Sequence, residues 1–158
     1  MATTSFSGPL KVGPVREGAG VNTVAVVLSQ SATVGFADTP DATSAFTTTI
    51  VLPAGSQMLS QLLTVSEVWS SAGVSAEIGT AADPDAFGDV ADLTALGLTT
   101  VAPDATQAVA ILDIGTSDLA VQATVTQTGV PTTGVATLTI TSLSLINISE
   151  PTRLGCIQ

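Results

Sequence analysis

Two segments in the C-terminal half of the chain alternate apolar and polar side chains. Leu119–Thr126 has an apolar residue at every second position, and in Val135–Thr141 the residues Ala, Leu and Ile alternate with Thr. Because successive side chains of a β-strand point to opposite faces, this alternation predicts two strands of a sheet with one buried face. The residues predicted to face inward are Leu119, Val121, Ala123, Val125, Ala136, Leu138 and Ile140.

The composition extends this prediction to the rest of the chain. The 158 residues include 25 Thr and 18 Val but only 3% aromatic residues, and β-branched side chains favour strands over helices. About eight short strands separated by turn signals predict an all-β domain over residues 21–142, an antiparallel two-sheet sandwich that is jelly-roll-like.

The other predicted strands are less regular. Residues 24–30 are apolar enough for a strand buried on both faces, and the six residues from Gly129 to Gly134 have the length of a hairpin loop. Residues 81–96 are predicted to form a long loop. The remaining predicted strands cover 45–52, 59–69, 74–79, 98–101 and 108–114.

Residues 1–20 differ in composition from the rest of the chain. Gly and Pro recur there too often for a helix, which predicts an extended N-terminal arm. Lys11 and Arg16 place two of the three cationic side chains of the chain in this arm. The arm is either a frayed terminus or a segment laid over a neighbouring subunit. In the second case its contact residues are Phe6, Pro9, Lys11, Pro14 and Arg16.

Charge excludes two classes of partner. The chain has three Lys and Arg residues in total and 13 Asp and Glu residues, which gives a formal net charge of −10. Such a chain lacks the basic residues that neutralise nucleic-acid phosphates or dock on anionic lipid. No apolar run reaches the length of a membrane helix or a signal peptide, so we expect synthesis in a cytoplasm and no membrane association.

Side-chain chemistry argues against catalysis. The chain has no His, which excludes imidazole bases, His-ligated metals and His-based triads. Its single cysteine, Cys156, supports neither an internal disulfide nor a four-Cys zinc site. We therefore predict a protein that is not an enzyme and uses no cofactor.

One acidic cluster comprises Asp83, Asp85, Asp89 and Asp92. Oxygen ligands of this kind can hold Ca²⁺, but the spacing lacks the glycine and the distal Glu of an EF-hand loop. A solvated acidic loop is the simpler interpretation, and we predict no metal site. These four residues remain weak candidates for one.

The C-terminal segment has a different character. Leu143–Arg153 resembles, at every position but Asn147, the translation of a common sequencing adapter. Residues 143–158 are therefore predicted to be a non-native tail that contributes little to the core.

Four segments carry a resemblance to a known family: Ala2–Pro9 with the nearby Lys11 and Gly13, then Val51–Gln57, Ile78–Phe87 and Asp113–Asp118. In their order and spacing, over residues 2–141, the chain resembles small structural proteins of tailed bacteriophages, especially those of marine bacteria.

The resemblance implies a virion component without catalytic residues: a capsid decoration (cement) protein that binds the outer shell and stabilises it. It implies the major capsid protein as partner, the capsid surface as location and the host cytoplasm as site of synthesis. Together with the arm it predicts self-association as a homotrimer. Two alternatives stay open, a tail- or fibre-associated virion protein and a bacterial surface or adhesion module.

Overall fold

The computed structural model describes residues 25–103 and 105–145. These residues form eight strands, one 3-10 turn at Phe36–Asp38 and a one-turn helix α1 at Gln107–Ala110. The strands are β1 Ala25–Gly35, β2 Thr43–Leu52, β3 Ser56–Glu67, β4 Ala72–Gly79, β5 Gly88–Asp92, β6 Gly97–Thr100, β7 Leu119–Thr128 and β8 Val135–Leu145.

The strand pairing has a simple order. β1 pairs with β8, β2 with β7, β3 with β6 and β4 with β5, all antiparallel, as if one long hairpin had been rolled up. Pairing of β8 with β3 and of β7 with β4 then completes two four-stranded sheets. Sheet A has the order β1-β8-β3-β6 and sheet B the order β2-β7-β4-β5. This arrangement is a jelly roll, so the predicted all-β sandwich is confirmed.

The core lies between the sheets, and the register predicted for the last two strands is confirmed. Six of the seven residues predicted to face inward are at most 3% exposed, and Leu119 is half-buried against the same core. Thr137 and Thr139 are on the outer side of β8. Burial of apolar surface, at about 25 cal/mol per Å², is the main force that holds the two sheets together.

Two local predictions were wrong because tertiary context outweighs local pattern. β1 is an edge strand of sheet A and is not buried on both faces, since its Val27 is 59% exposed. The Gly129–Gly134 loop does not close a hairpin, because β7 belongs to sheet B and β8 to sheet A. The loop instead crosses from one sheet to the other.

Two secondary-structure assignments were also wrong. The predicted loop at 81–96 contains β5, which forms through its pairing with β4 despite a sequence poor in strand-favouring residues. The predicted strand at 108–114 is instead α1 and a turn. Ile111, the C-terminal cap of α1, packs on the core, and Ile114, beyond the turn, lies in it, so these apolar residues are buried without forming a strand.

The loops gather at two ends of the sandwich. The Trp69 end holds the loops 36–42, 68–71, 93–96 and 129–134, where the amide of Phe36 donates to Gly134 O at 2.9 Å. The α1 end holds the loops 53–55, 80–87 and 101–118, where the amide of Met58 donates to Ile111 O at 2.9 Å. β1 also begins and β8 also ends at the α1 end, because Ala25 is paired with Leu145.

The last strand extends beyond the predicted end of the sandwich. β8 continues to Leu145, and within it Leu143 is paired with both Val27 and Gln57. Three residues of the segment assigned to the tail therefore take part in sheet A. That the tail is non-native stays a prediction, and residues 146–158 lie outside the described part of the chain.

Candidate interaction surfaces

The predicted contact residues of the arm, Phe6, Pro9, Lys11, Pro14 and Arg16, lie outside the described residues. Their role in contacts stays a prediction. The structure instead shows the surfaces of the sandwich on which an arm or a partner could lie.

The loop between β4 and β5 turns back over the end of β4. The amide of Thr80 donates to Asp83 O at 2.8 Å, and a Cβ atom at Gly79 would lie only 2.5 Å from the carbonyl carbon of Pro84. Glycine is therefore needed at position 79. The loop carries the carboxyl of Asp83 next to that of Asp85, and the hydrogen bond between them, with smaller contributions from desolvation and like-charge repulsion, raises the pKa of Asp83.

The other two acidic candidates are not part of this pair. Asp92 lies on β5, and its Oδ1 accepts hydrogen bonds from the amide of Thr94 at 2.8 Å and from the Thr94 hydroxyl at 2.6 Å. Both bonds favour the charged form and lower the pKa of Asp92. The side chain of Asp89 is outside the described atoms. Across residues 25–103 and 105–145, no three potential metal ligands come together.

The distribution of charge along the chain is strongly uneven. Residues 25–145 contain eleven carboxylates and no Lys, Arg or His, so every cationic side chain lies in residues 1–24 or 146–158. The eleven are Asp38, Asp41, Glu67, Glu77, Asp83, Asp85, Asp89, Asp92, Asp104, Asp113 and Asp118. Like charge of this size opposes close approach of two sandwiches wherever carboxylates face each other.

Sheet A offers a surface with little of that charge. Its four strands contain a single charged residue, Glu67, which is the last residue of β3 and lies opposite Val135 at one margin of the outer side. We call the outer surface of this sheet the hydroxyl face, because Ser and Thr dominate it: Ser29, Ser31, Thr33, Thr64, Thr100, Thr137, Thr139 and Thr141.

Cross-strand hydroxyl pairs order the hydroxyl face. Ser31 Oγ lies 2.8 Å from Thr139 Oγ1, and Thr33 Oγ1 lies 3.2 Å from Thr137 Oγ1. Such pairs between directly opposed residues stabilise a sheet and hold the hydroxyls in place. The exposed Leu98 adds apolar area at one margin of this face.

The α1 end contains two neighbouring recesses, both lined in part by the α1 segment. The apolar pocket, of about 170 Å³, is lined mainly by Met58, Leu59, Gln61, Val101, Pro103 and Ile111. The acidic groove, of about 360 Å³, is lined by Asp83, Asp85, Ala86, Thr106, Gln107 and Ala110. Consecutive residues of α1 and its C-terminal cap, Ala110 and Ile111, thus reach the two recesses.

Sequence reasoning indicated a Thr-lined side of the last strand but did not place the hydroxyl face on sheet A, and it missed the two recesses. Thr137, Thr139 and Thr141 at alternate positions were a visible signal for the face, since they mark one side of a strand that has no charge. The recesses had no such signal, because β3, the loop 80–87 and the segment around α1 contribute residues that are distant in the sequence.

Fold and surface together define a small, single-domain jelly roll with an acidic body and one face of neutral hydroxyl groups. A solved chain of the cyanophage Pam1 capsid asymmetric unit has the same fold. The similarity covers 87% of this chain and 97% of that chain, with a TM-score of 0.60 and 14% sequence identity. At this identity the likeness shows the shared fold alone.

The other comparisons add no relative. No protein-family model matches the sequence, and no curated protein is significantly similar to it. Within the described residues, no helix has the length and apolar character required to cross a bilayer.

Proposed function

We propose that the protein is a bacteriophage virion structural protein, and within that class a capsid decoration protein that binds and stabilises the outer shell. The observation that carries this proposal is the jelly roll shared with a chain of a capsid asymmetric unit. Because 97% of that chain is covered, it too is essentially one sandwich of similar size. A small accessory component is the role that suits such a domain.

The hydroxyl face is the surface that we assign to the shell. The centre of an interface is usually depleted of charged residues, since burying an unpaired carboxylate is costly. Away from Glu67 at its margin, the hydroxyl face can lose its water without burying a charge. Its paired hydroxyls keep a hydrogen-bond partner when the water leaves. Sheet B fits less well, because its strands carry Glu77, Asp89 and Asp92.

The arm is the second contact in this proposal. Residues 1–20 would cross a subunit boundary with Lys11 and Arg16 toward an acidic neighbour. Ordering the arm costs roughly 1–2 kcal/mol per residue in backbone entropy, so apolar and backbone contacts on the partner must offset that cost. A homotrimer at local three-fold positions allows each arm to reach the next copy.

The proposed role needs no catalysis and no cofactor. The close pair of carboxylic acids, Asp83 and Asp85, is on the surface, where water competes for both groups. We therefore propose that the protein acts through binding alone.

Particle composition and localisation test the proposal. In virions that carry this protein, we expect a copy number commensurate with that of the major capsid protein, and cryo-EM density for the sandwich on the outside of the shell. A few copies per particle with density on the tail and a bare shell would favour the tail- or fibre-associated alternative and refute the decoration role.

A matched pair of variants tests the assigned face. Thr139 is on β8 and Thr126 on β7, the central strands that carry the outward-facing hydroxyls of sheets A and B. Thr139→Lys should abolish co-sedimentation with particles that lack the protein, whereas Thr126→Lys, with the same change of net charge, should bind as the wild type does. Equal binding by both variants would refute the assignment of the hydroxyl face as the contact surface, but it would not affect the proposed location on the outside of the shell.

A further inference from the structure

The α1 end combines two properties that suit one ligand. The apolar pocket and the acidic groove are neighbours, because consecutive residues of the α1 segment, Ile111 and Ala110, line one and the other. A ligand that fills both must carry apolar and cationic side chains close together. The described sandwich cannot supply it, because residues 25–145 contain no Lys or Arg.

A buried hydrogen-bond acceptor without a donor in the described part of the chain lies in the wall of the pocket. Gln61, which contributes to its wall, is 2% exposed, and its Nε2 donates to Phe87 O. Among the described residues, no group donates to its Oε1. A buried acceptor without a donor is costly, so the Gln61 side chain gains from a rearrangement of the pocket wall that brings a backbone N–H to it.

Residues 1–20 have the complementary composition. Lys11 lies between Leu10 and Val12, and Arg16 follows Val15, so each cation in the arm has an apolar neighbour. The arm joins the sandwich at the correct end, because β1 begins at the α1 end.

The distance also permits docking. Three strand spacings, about 14 Å, separate β1 from β6 across sheet A. The nine residues from Arg16 to Ala25 can span about 30 Å. Residues 10–16 can therefore reach both recesses from their own β1.

We propose that in the free protein residues 1–20 dock on their own sandwich across α1, with Leu10, Val12 or Val15 in the apolar pocket and Lys11 and Arg16 over Asp83 and Asp85. Attachment to the same chain gives the arm a high local concentration, which favours this contact over one with a second copy. This docking concerns the protein in solution and does not require the proposed capsid partner. The docking proposal and the capsid decoration proposal can therefore fail independently.

Paramagnetic NMR tests the contact in the full chain. Cys156 is the only cysteine, so Cys156→Ser with Ser7→Cys allows one nitroxide to be placed in the arm. We expect the label to broaden the amide signals of Gln61, Thr100 and Ile111. Broadening confined to the Trp69 end, or spread evenly over the surface, would overturn the proposal.

Mixing isotopes separates the chain's own arm from that of a second copy. Unlabelled, spin-labelled protein is added to ¹⁵N-labelled protein without a nitroxide. We expect no selective broadening in this sample, because each arm occupies its own site. Selective broadening at the same amides would show exchange between copies and refute docking on the same chain.

Charge reversal tests the electrostatic half of the contact. Lys11→Glu with Arg16→Glu should reduce the paramagnetic broadening by about threefold or more, consistent with two exposed ion pairs. Adding Asp83→Lys and Asp85→Lys should restore it, whereas Asp41→Lys and Glu67→Lys, near the Trp69 end, should not. Rescue by both pairs alike would mean that only net charge matters and would overturn the assigned site.

Discussion

Gly134 permits a contact on which the Trp69 end depends. It is the last residue before β8, with φ at +144°, and a Cβ atom there would lie 2.7 Å from Cγ and 2.8 Å from Cε2 of Trp69. Trp69 is only 3% exposed and belongs to the core. Because the indole is enclosed in this way, Gly134→Ala should force a rearrangement of the loop or of the ring.

The expected cost has two parts. A non-glycine residue in this region of backbone space costs of order 1–3 kcal/mol. Overpacking against a well-packed ring costs a further 1–3 kcal/mol or so. We therefore expect Gly134→Ala to lower the free energy of unfolding by about 2–6 kcal/mol, a large part of the roughly 5–15 kcal/mol typical of a domain.

Gly129 provides a matched control in the same loop. Its φ is +92°, but a Cβ atom there would have no heavy atom within 4 Å. Gly129→Ala should thus cost only the backbone part, about 1–3 kcal/mol. The difference between the two variants isolates the contact with Trp69.

The assay is urea unfolding followed by intrinsic fluorescence, because Trp69 is the only tryptophan of the chain, with circular dichroism as a second probe. Gly134→Ala should shift the midpoint further than Gly129→Ala does. In a Trp69→Leu background, read by circular dichroism, the two glycine variants should cost about the same. Equal costs in the wild-type background would refute the argument that the ring blocks position 134.

Two further predictions concern the C-terminal strand and the pH dependence. A chain that ends at Leu145 should keep the thermal midpoint of the full chain. One that ends at Ser142 loses the pairs that residues 143–145 make with the start of β1 and the start of β3, and it should melt a few degrees lower in scanning calorimetry. Equal midpoints would mean that residues 143–145 are dispensable. Hydrogen bonds from Thr94 lower the pKa of Asp92, so they stabilise the folded state above the ordinary value of 3.8 and this contribution is lost as the pH falls through the lowered pKa. Thr94→Val should raise that pKa toward 3.8 in an NMR titration of the Asp92 carboxyl, and an unchanged titration would contradict the assignment.

The alternation of apolar and polar residues predicted the strands that have one solvent-exposed and one buried face. In β7 and β8 the apolar residues alternate so regularly that both the strands and their buried sides followed from sequence. The alternation pattern failed to predict strands that form only because a neighbouring strand pairs with them. The Gly-Asp-Val-Ala-Asp of β5 carries little strand preference and forms an edge only because β4 is beside it.

The candidate surfaces depend on information that is not local. That Thr139 points outward could be predicted, but that it lies opposite Ser31 on one side and Leu62 on the other depends on the order of the strands. The apolar pocket combines residues as far apart as Met58 and Ile111. Neither alternation nor composition encodes such distances along the chain.

The uneven charge of the chain implies that the two proposed contacts respond differently to salt. The arm contact sets Lys11 and Arg16 against exposed carboxylates, and such pairs are screened over about 8 Å at physiological ionic strength. The hydroxyl face carries one charge, Glu67 at its margin, so its contact depends mainly on desolvation and hydrogen bonds, which salt hardly weakens. Raising the ionic strength should therefore release the arm from its own sandwich while the hydroxyl face stays bound to the shell. An arm released in this way is free to reach a neighbouring copy, so intramolecular docking in solution and bridging on the particle can be two uses of the same residues.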